Sequence, residues 1–135
     1  MSNKKDAALS IKKLTPVLIV EAIEPSLSFW EERLGFKRTI EVPLGSHLGF
    51  VALEYSGIEV MMQTQQSAMA DLPQAPRRAE SAGLYFEVKD LSEIERALEG
   101  LKWILRRRAP YGSEELFLQE PGGHLIGFAQ HPSRS

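Results

Sequence analysis

Cysteine is absent from all 135 residues, which excludes disulfide bonds, thiolate zinc sites and cysteine nucleophiles. Histidine is scarce, and the three present are the only imidazoles available for metal binding or acid–base chemistry. No apolar run approaches the roughly 20 residues that a membrane-spanning helix needs. The polar N-terminus lacks the apolar stretch of a signal peptide. A cytoplasmic location is therefore the default expectation, and no membrane partner is expected.

Charge is also close to balanced, with a formal net charge of -2. The basic run Arg106–Arg108 is interpreted as a solvated strand end, and no nucleic-acid partner is expected. The sequence contains neither a glycine-rich phosphate loop nor a Gly-x-Ser-x-Gly elbow, and no histidine is predicted beside a serine. Hydrophobic residues make up 43% of the chain, which is typical of a globular domain.

β-Branched and alternating apolar segments predict four strands in the first half of the chain, over residues 15–21, 36–42, 47–55 and 58–63. Leu27, Trp30 and Leu34 recur at helical spacing between the first two strands, and Gly35 follows them as a stop signal. Ser56-Gly57 predicts a tight turn between the last two strands. The predicted order is therefore β-α-β-β-β.

The same order is predicted again in the second half, with strands over residues 83–89, 102–107, 113–119 and 124–129. Ile94, Leu98 and Leu101 mark the helix of this half. Val88 lies 68 positions after Val20 in an equivalent setting, which indicates a weak internal repeat. We expect a flexible segment over residues 1–13, a single domain over 14–130 and a tail over 131–135. Within the domain, modules 14–63 and 82–130 flank a linker or mobile loop, 64–81.

Four segments resemble the vicinal oxygen chelate superfamily, which includes glyoxalases, dioxygenases and bleomycin-resistance proteins. They are Thr15-Pro-Val-Leu-Ile-Val20, Ser28-Phe-Trp-Glu-Glu-Arg-Leu-Gly-Phe36, Tyr111-Gly112 and Glu120-Pro-Gly-Gly-His-Leu-Ile-Gly-Phe128. The resemblance implies an α+β fold in which two βαβββ modules form a curved mixed sheet around a cup-shaped cavity. Members often form dimers, so a homodimer is expected, with the cup formed within one chain or across two.

Metal-dependent members of this superfamily place a histidine at the start of each half's first strand and a carboxylate near the end of each half's last strand. Thr15 and Gly83 stand at the matching histidine positions here, and Met61 and Gly127 at the carboxylate positions. None supplies an imidazole nitrogen or a carboxylate oxygen. The resemblance is therefore closest to the metal-free bleomycin-resistance-like members, and no cofactor is expected. Three residues are interpreted as surface or turn histidines, with a non-standard metal site as the alternative: His47, His124 and His131.

Side chains alternate between the two faces of a strand, so the matched positions identify the face that lines the cup. The predicted ligand-binding residues on this face are Thr15, Phe50, Glu59, Met61, Gln63, Tyr85, Glu87 and Gly127. Leu116 and Leu118 are expected on the same face. Trp103 is a further candidate, with core or interface packing as its alternative.

This mixture of aromatic, aliphatic and polar side chains is typical of a small-molecule pocket. Gly83 and Gly127 are expected to leave extra room. Glu21, Glu59 and Glu87 suggest an acidic pocket for a cationic or hydrogen-bond-donating ligand, with a solvated rim as the alternative. The leading hypothesis is a metal-independent protein that sequesters a drug or metabolite, as in antibiotic resistance, with no catalytic residue. The alternative is a glyoxalase-like lyase or isomerase with an atypical metal site or with acid–base chemistry by Glu59 or Glu87.

Overall fold

The computed structural model describes residues 9–132, and its first half has the predicted β-α-β-β-β order. The helix begins as α1 and continues into a π-helical segment, and Gly35 ends it with a φ of +87° that glycine adopts without strain. The elements of this half are β1 (Val17–Val20), α1 (Glu24–Leu27), the π-helical segment (Ser28–Arg33), β2 (Lys37–Leu44), β3 (His47–Tyr55) and β4 (Ile58–Thr64). Residues 1–8 of the predicted N-terminal segment and 133–135 of the predicted tail lie outside the described residues.

The second half repeats this order after a connecting segment. Its elements are β5 (Gly83–Glu87), α3 (Leu91–Ala97), β6 (Leu105–Arg108), β7 (Glu114–Gln119) and β8 (Leu125–Gln130). Asp90 caps α3 by accepting a hydrogen bond from the Ser92 amide at 3.0 Å. The repeated pattern read from the sequence is therefore present in the fold.

Part of the segment predicted as a linker is helical. Helix α2 covers Gln65–Asp71, and the Thr64 side chain caps it by accepting a hydrogen bond from the Ser67 amide at 3.1 Å. The helix buries only Ala68, so its sequence lacks the apolar stripe by which an amphipathic helix is recognised. Within the described residues, no helix has the length and apolar character needed to cross a membrane.

Each half forms one mixed four-stranded sheet. Sheet 1 has the order β1-β4-β3-β2 and sheet 2 the order β5-β8-β7-β6, with the β1–β4 and β5–β8 pairs parallel and the other pairs antiparallel. Val17 pairs with Met61 in sheet 1, and Tyr85 pairs with Gly127 in sheet 2. The α+β class with two βαβββ modules is thus confirmed.

One face of each sheet packs against the helices and forms a shared core. Trp30 is completely buried there, in edge-to-face contact with Phe29 and Phe36 at ring distances of 5.3 and 5.2 Å. Phe86 of sheet 2 also contacts the Trp30 ring, at 6.3 Å. The helix of the first half therefore packs against both sheets, and the two halves belong to one hydrophobic core.

Polar contacts also join the halves, and His124 makes one of them, to Ile19, while a second bond to Ala82 fixes its ring within the second half. Its Nδ1 accepts a hydrogen bond from the Ala82 amide at 2.9 Å, so its Nε2 is protonated and donates to the Ile19 carbonyl at 2.9 Å. Trp30 Nε1 donates to Glu120 Oε2 at 3.3 Å. The turn between β7 and β8 is thereby fixed to the first half.

Candidate functional site

The open face of sheet 1, defined as the face opposite the core, carries most of the predicted first-half residues. Phe50 and Met61 share this face because Phe50 pairs with Gln63 and Ala52 pairs with Met61. Val17 also lies on it, as Met61's partner in β1. The register follows from the two-residue turn at Ser56-Gly57, where both residues have positive φ, as the predicted hairpin requires.

The polar groups of this face are already engaged within the chain. Glu59 Oε1 accepts hydrogen bonds from Lys13 Nζ at 2.7 Å and Thr15 Oγ1 at 3.1 Å. These bonds, the one from Lys13 first, lower the pKa of Glu59. Gln63 is buried and its Nε2 donates to Ser67 Oγ at 3.1 Å. The open face of sheet 1 is therefore mainly an apolar surface.

The open face of sheet 2 brings together Tyr85, Glu87 and Gly127, as predicted, and adds three residues that sequence reasoning missed. Phe117 pairs with Gly127, so it shares the face of Tyr85. The further additions are Arg107 and Glu115, which pair with each other across β6 and β7.

The expectation for Leu116 and Leu118 is wrong, because both side chains are buried in the core. The loop of residues 120–124 makes Gln119 the partner of Leu125, so the odd-numbered residues of β7 lie on the open face. Glu115 and Phe117 alternate with the two leucines, and this alternation was the available signal. Alternation along a strand divides the residues of β7 into two sets, one on each face of the sheet. Only the length of the turn decides which of the two sets lies on the open face.

Three of the side chains on this face, Tyr85, Arg107 and Glu115, form a hydrogen-bonded tyrosine–glutamate cluster with Tyr111 from the loop between β6 and β7. Both tyrosine hydroxyls donate to Glu115 Oε2, and Arg107 Nε donates to Glu115 Oε1 at 2.8 Å. The bonds from Tyr111 and Tyr85, followed by the one from Arg107, lower the pKa of Glu115 to about 2. Desolvation and the bond to Glu115 raise the pKa of Tyr85 above its usual value. The carboxylate is thus ionised and the phenol neutral near pH 7.

Gly127 leaves no extra room, contrary to expectation. A Cβ placed on it would lie 2.5 Å from Phe117 Cε1 and 3.1 Å from Tyr85 Cδ1, because these two rings cover the glycine. A Cβ on Gly83 would meet nothing within 4 Å, so this position is open as expected. Aromatic rings therefore occupy the space in which a metal-ligating carboxylate at position 127 would lie.

The donor set does not fit the divalent metal of the metal-dependent superfamily members. Thr15 is hydrogen-bonded to Glu59, and Met61 offers a thioether rather than an oxygen. Among residues 9–132, no group of three or more His, Cys, Asp or Glu side chains could hold a metal ion. No chemical step is therefore assigned to a metal.

Trp103 lies apart from the other predicted site residues. Its Nε1 donates to the Leu98 carbonyl at 3.4 Å, beside the end of α3. It lines a shallow depression with residues of that helix, including Ser92 and Glu95. The residue belongs to the segment preceding β6, so the alternation of the strand does not apply to it.

The three histidines occupy different environments. His47 is exposed at the start of β3, whereas His124 is a turn histidine, in the loop of residues 120–124, that is buried in the joint between the halves rather than at the surface. His131 Nδ1 lies 2.6 Å from Ser113 Oγ, so a histidine does lie beside a serine, contrary to prediction. Ser113 is completely buried, so its hydroxyl is not accessible as a nucleophile.

Comparison with protein families matches residues 11–128 to the model described as "Glyoxalase/Bleomycin resistance protein/Dioxygenase superfamily". A comparison with curated proteins found no match. Lactoylglutathione lyase from Agrobacterium tumefaciens has a similar structure, with a TM-score of 0.71 at 16% identity over 88% of this chain and 92% of that chain. TioX from Micromonospora sp. ML1 gives a TM-score of 0.71 at 15% identity over 90% and 99% of the two chains. A structure from the mobile metagenome of V. Pseudocholerae gives 0.68 at 26% identity over 94% and 100%.

Proposed function

This chain belongs to the glyoxalase/bleomycin resistance protein/dioxygenase superfamily, and from this membership we propose that it is a metal-independent small-molecule binding protein of the bleomycin-resistance type. The ligand, a drug or metabolite, would be held against the open faces of the sheets. Apolar and aromatic contacts would supply most of the affinity, and a few polar groups would set its orientation. A cytoplasmic location stays a prediction.

The observation that carries this proposal is the covering of Gly127 by the Phe117 and Tyr85 rings. A carboxylate ligand at this position would require the Phe117 ring to move. Aromatic surface thus replaces a donor group at a position where metal-dependent members hold their ion, and such surface favours binding by stacking and apolar burial.

The lyase or isomerase alternative finds little support in the ion-paired carboxylates of the open faces, Glu59 and Glu115. A general base works best when its pKa lies near the working pH. The pKa of Glu59 is lowered, and that of Glu115 is lowered to about 2. The similarity to lactoylglutathione lyase is at 16% identity and concerns the fold.

Calorimetry and an activity assay on the same purified protein test the proposal. We expect saturable binding of a small aromatic compound after treatment with a chelator, and no formation of lactoylglutathione with or without added divalent metals. A tightly held stoichiometric metal, measured by elemental analysis, would overturn the metal-independent assignment. Turnover that requires Glu59 or Glu115 would favour the enzyme.

A homodimer is the second part of the proposal. The open face of sheet 1 exposes Val17, Ile40 and Val42 by 39%, 48% and 49%, an apolar surface that a single copy leaves in contact with water. A second copy would cover this surface and close the ligand site. Sedimentation analysis is expected to show a dimer, and Val42→Glu to shift it to monomer while Glu41→Gln does not. A monomeric parent protein would contradict this part of the proposal.

A further inference from the structure

The charge that a ligand meets on the open face of sheet 2 differs from the acidic character expected from the sequence. The Glu115 side chain is 0% exposed, whereas that of Arg107, its ion-pair partner, is 44% exposed. On the other sheet, Glu59 is paired with Lys13. A molecule at the tyrosine–glutamate cluster therefore meets the guanidinium and not the carboxylate.

Arg107 also retains unused hydrogen-bonding capacity. Its one side-chain hydrogen bond to residues 9–132 is made by Nε, to Glu115. Its two terminal nitrogens carry planar, forked N–H donors, which match the two oxygens of a carboxylate. The bond to Glu115 holds the guanidinium in position, so little side-chain entropy is lost when a ligand binds.

Aromatic rings lie directly beside this guanidinium. The Phe117 ring lies 5.7 Å from Arg107 Cζ and 6.3 Å from the Tyr85 ring, over the bare backbone of Gly127. Tyr85 is 49% exposed and Tyr111 63% exposed, so both tyrosine rings present surface to the solvent beside this guanidinium. A flat ring can therefore lie against Phe117 and Tyr85 with its substituent directed at Arg107.

We propose that the open face of sheet 2 binds a planar aromatic anion, with its ring against Phe117 and Tyr85 and its carboxylate on the terminal nitrogens of Arg107. This inference rests on the proposed binding function and specifies the ligand class of the same site. Glu87, 73% exposed, lies on the other side of Ala129 from Glu115 in the sheet. The charged end of the ligand is therefore directed toward β6 and away from Glu87.

Calorimetric titration of the full chain with three probes of equal ring size tests the ligand class: 2-naphthoate, 2-naphthylmethanol and 2-naphthylmethylammonium. Because a charge-assisted hydrogen bond outweighs a neutral one, naphthoate is expected to bind at least about tenfold more tightly than the alcohol. The ammonium probe is expected to bind most weakly. Tighter binding of the ammonium or the alcohol would overturn the anion assignment and leave the binding function standing. No binding of any probe would count against both proposals.

Three variants then identify which residues cause the preference for naphthoate over the alcohol. Arg107→Gln is expected to make naphthoate and the alcohol bind equally, whereas Arg108→Gln, an adjacent and more exposed arginine on the opposite strand face, retains the preference. Phe117→Leu is expected to weaken all three probes by a similar factor, because it removes the ring surface and leaves the charge. An unchanged preference in Arg107→Gln would place the anion elsewhere. The order of the three probes on the parent protein tests the ligand class even if a variant does not fold.

Discussion

Gly83 and Gly127, at the residue scale, both stand where metal-dependent members carry a metal ligand in the second module, but their surroundings differ. Gly83 faces open space, whereas the Phe117 and Tyr85 rings cover Gly127. Both lack a side chain, so the sequence alone predicts room at each. The difference arises from a residue on the neighbouring strand, which contacts Gly127 only after β7 and β8 have paired.

The glycine pair gives a matched prediction for stability. Gly127→Ala is expected to lower the free energy of unfolding by about 1–3 kcal/mol, because the new methyl group displaces the Phe117 ring. Gly83→Ala is expected to be neutral or to stabilise by up to about 1 kcal/mol, since alanine restricts the unfolded chain. Urea unfolding of both variants measures this, and equal effects would refute the covering of Gly127.

The lowered pKa of Glu115 predicts that the stability of the protein depends on pH. Its pKa is about 2 in the folded protein, below the ordinary value of 4.5, so its ionised form stabilises the fold above pH 4.5. This contribution is lost as the pH falls from 4.5 toward 2. Glu115→Gln is therefore expected to be less stable than the parent at pH 7, with a gap that narrows in acid.

Glu32→Gln is the control for this prediction, because Glu32 is exposed and the substitution changes the charge equally. Urea midpoints of the three proteins at pH 7 and pH 3 provide the measurement. A gap between the parent and Glu115→Gln that stays constant over this range would contradict the assignment.

Turn lengths and caps, at the element scale, decide which side chains reach the open faces. In β3 and β4, the two-residue turn at Ser56-Gly57 is recognisable in the sequence, and it sets the register in which Phe50 pairs with Gln63. In β7, the five-residue turn of residues 120–124 sets the register, and it places Leu116 and Leu118 on the core face, opposite to the expectation. Helix α2 escaped prediction because its stability depends on a cap rather than on an apolar stripe.

Thr64→Ala is expected to destabilise the protein by about 1 kcal/mol, since it removes the acceptor for the Ser67 amide at the start of α2. Thr64→Ser retains a hydroxyl and serves as the control, with an expected change of a few tenths of a kcal/mol. Thermal and urea unfolding of both variants check the difference. Equal losses would mean that the methyl group of Thr64, and not its cap, stabilises the structure.

His124 joins the two halves at the scale of the whole molecule. His124→Ala leaves the buried Ile19 carbonyl without this partner, whereas the amide of the exposed Ala82 can bond to water. A buried polar group left unpaired costs about 1–3 kcal/mol, and we therefore expect a loss of roughly this size in urea unfolding. His47→Ala, at an exposed site, is expected to change stability by less than about 0.5 kcal/mol. A small loss for His124→Ala would mean that its hydrogen bonds contribute little to joining the halves.

The duplicated βαβββ architecture follows from the sequence by itself, because apolar periodicity and glycine stop signals act over short stretches of chain. The absence of metal-ligating side chains at Thr15, Met61, Gly83 and Gly127 was also readable from the residues alone. The tertiary structure decided which groups meet: Arg107 and Glu115 come from different strands, and Tyr111 joins them from a loop. Such contacts depend on the pairing of β6 with β7 and on the longer turn of residues 120–124, which the apolar periodicity does not specify. The charge that the site exposes to a ligand depends on these contacts.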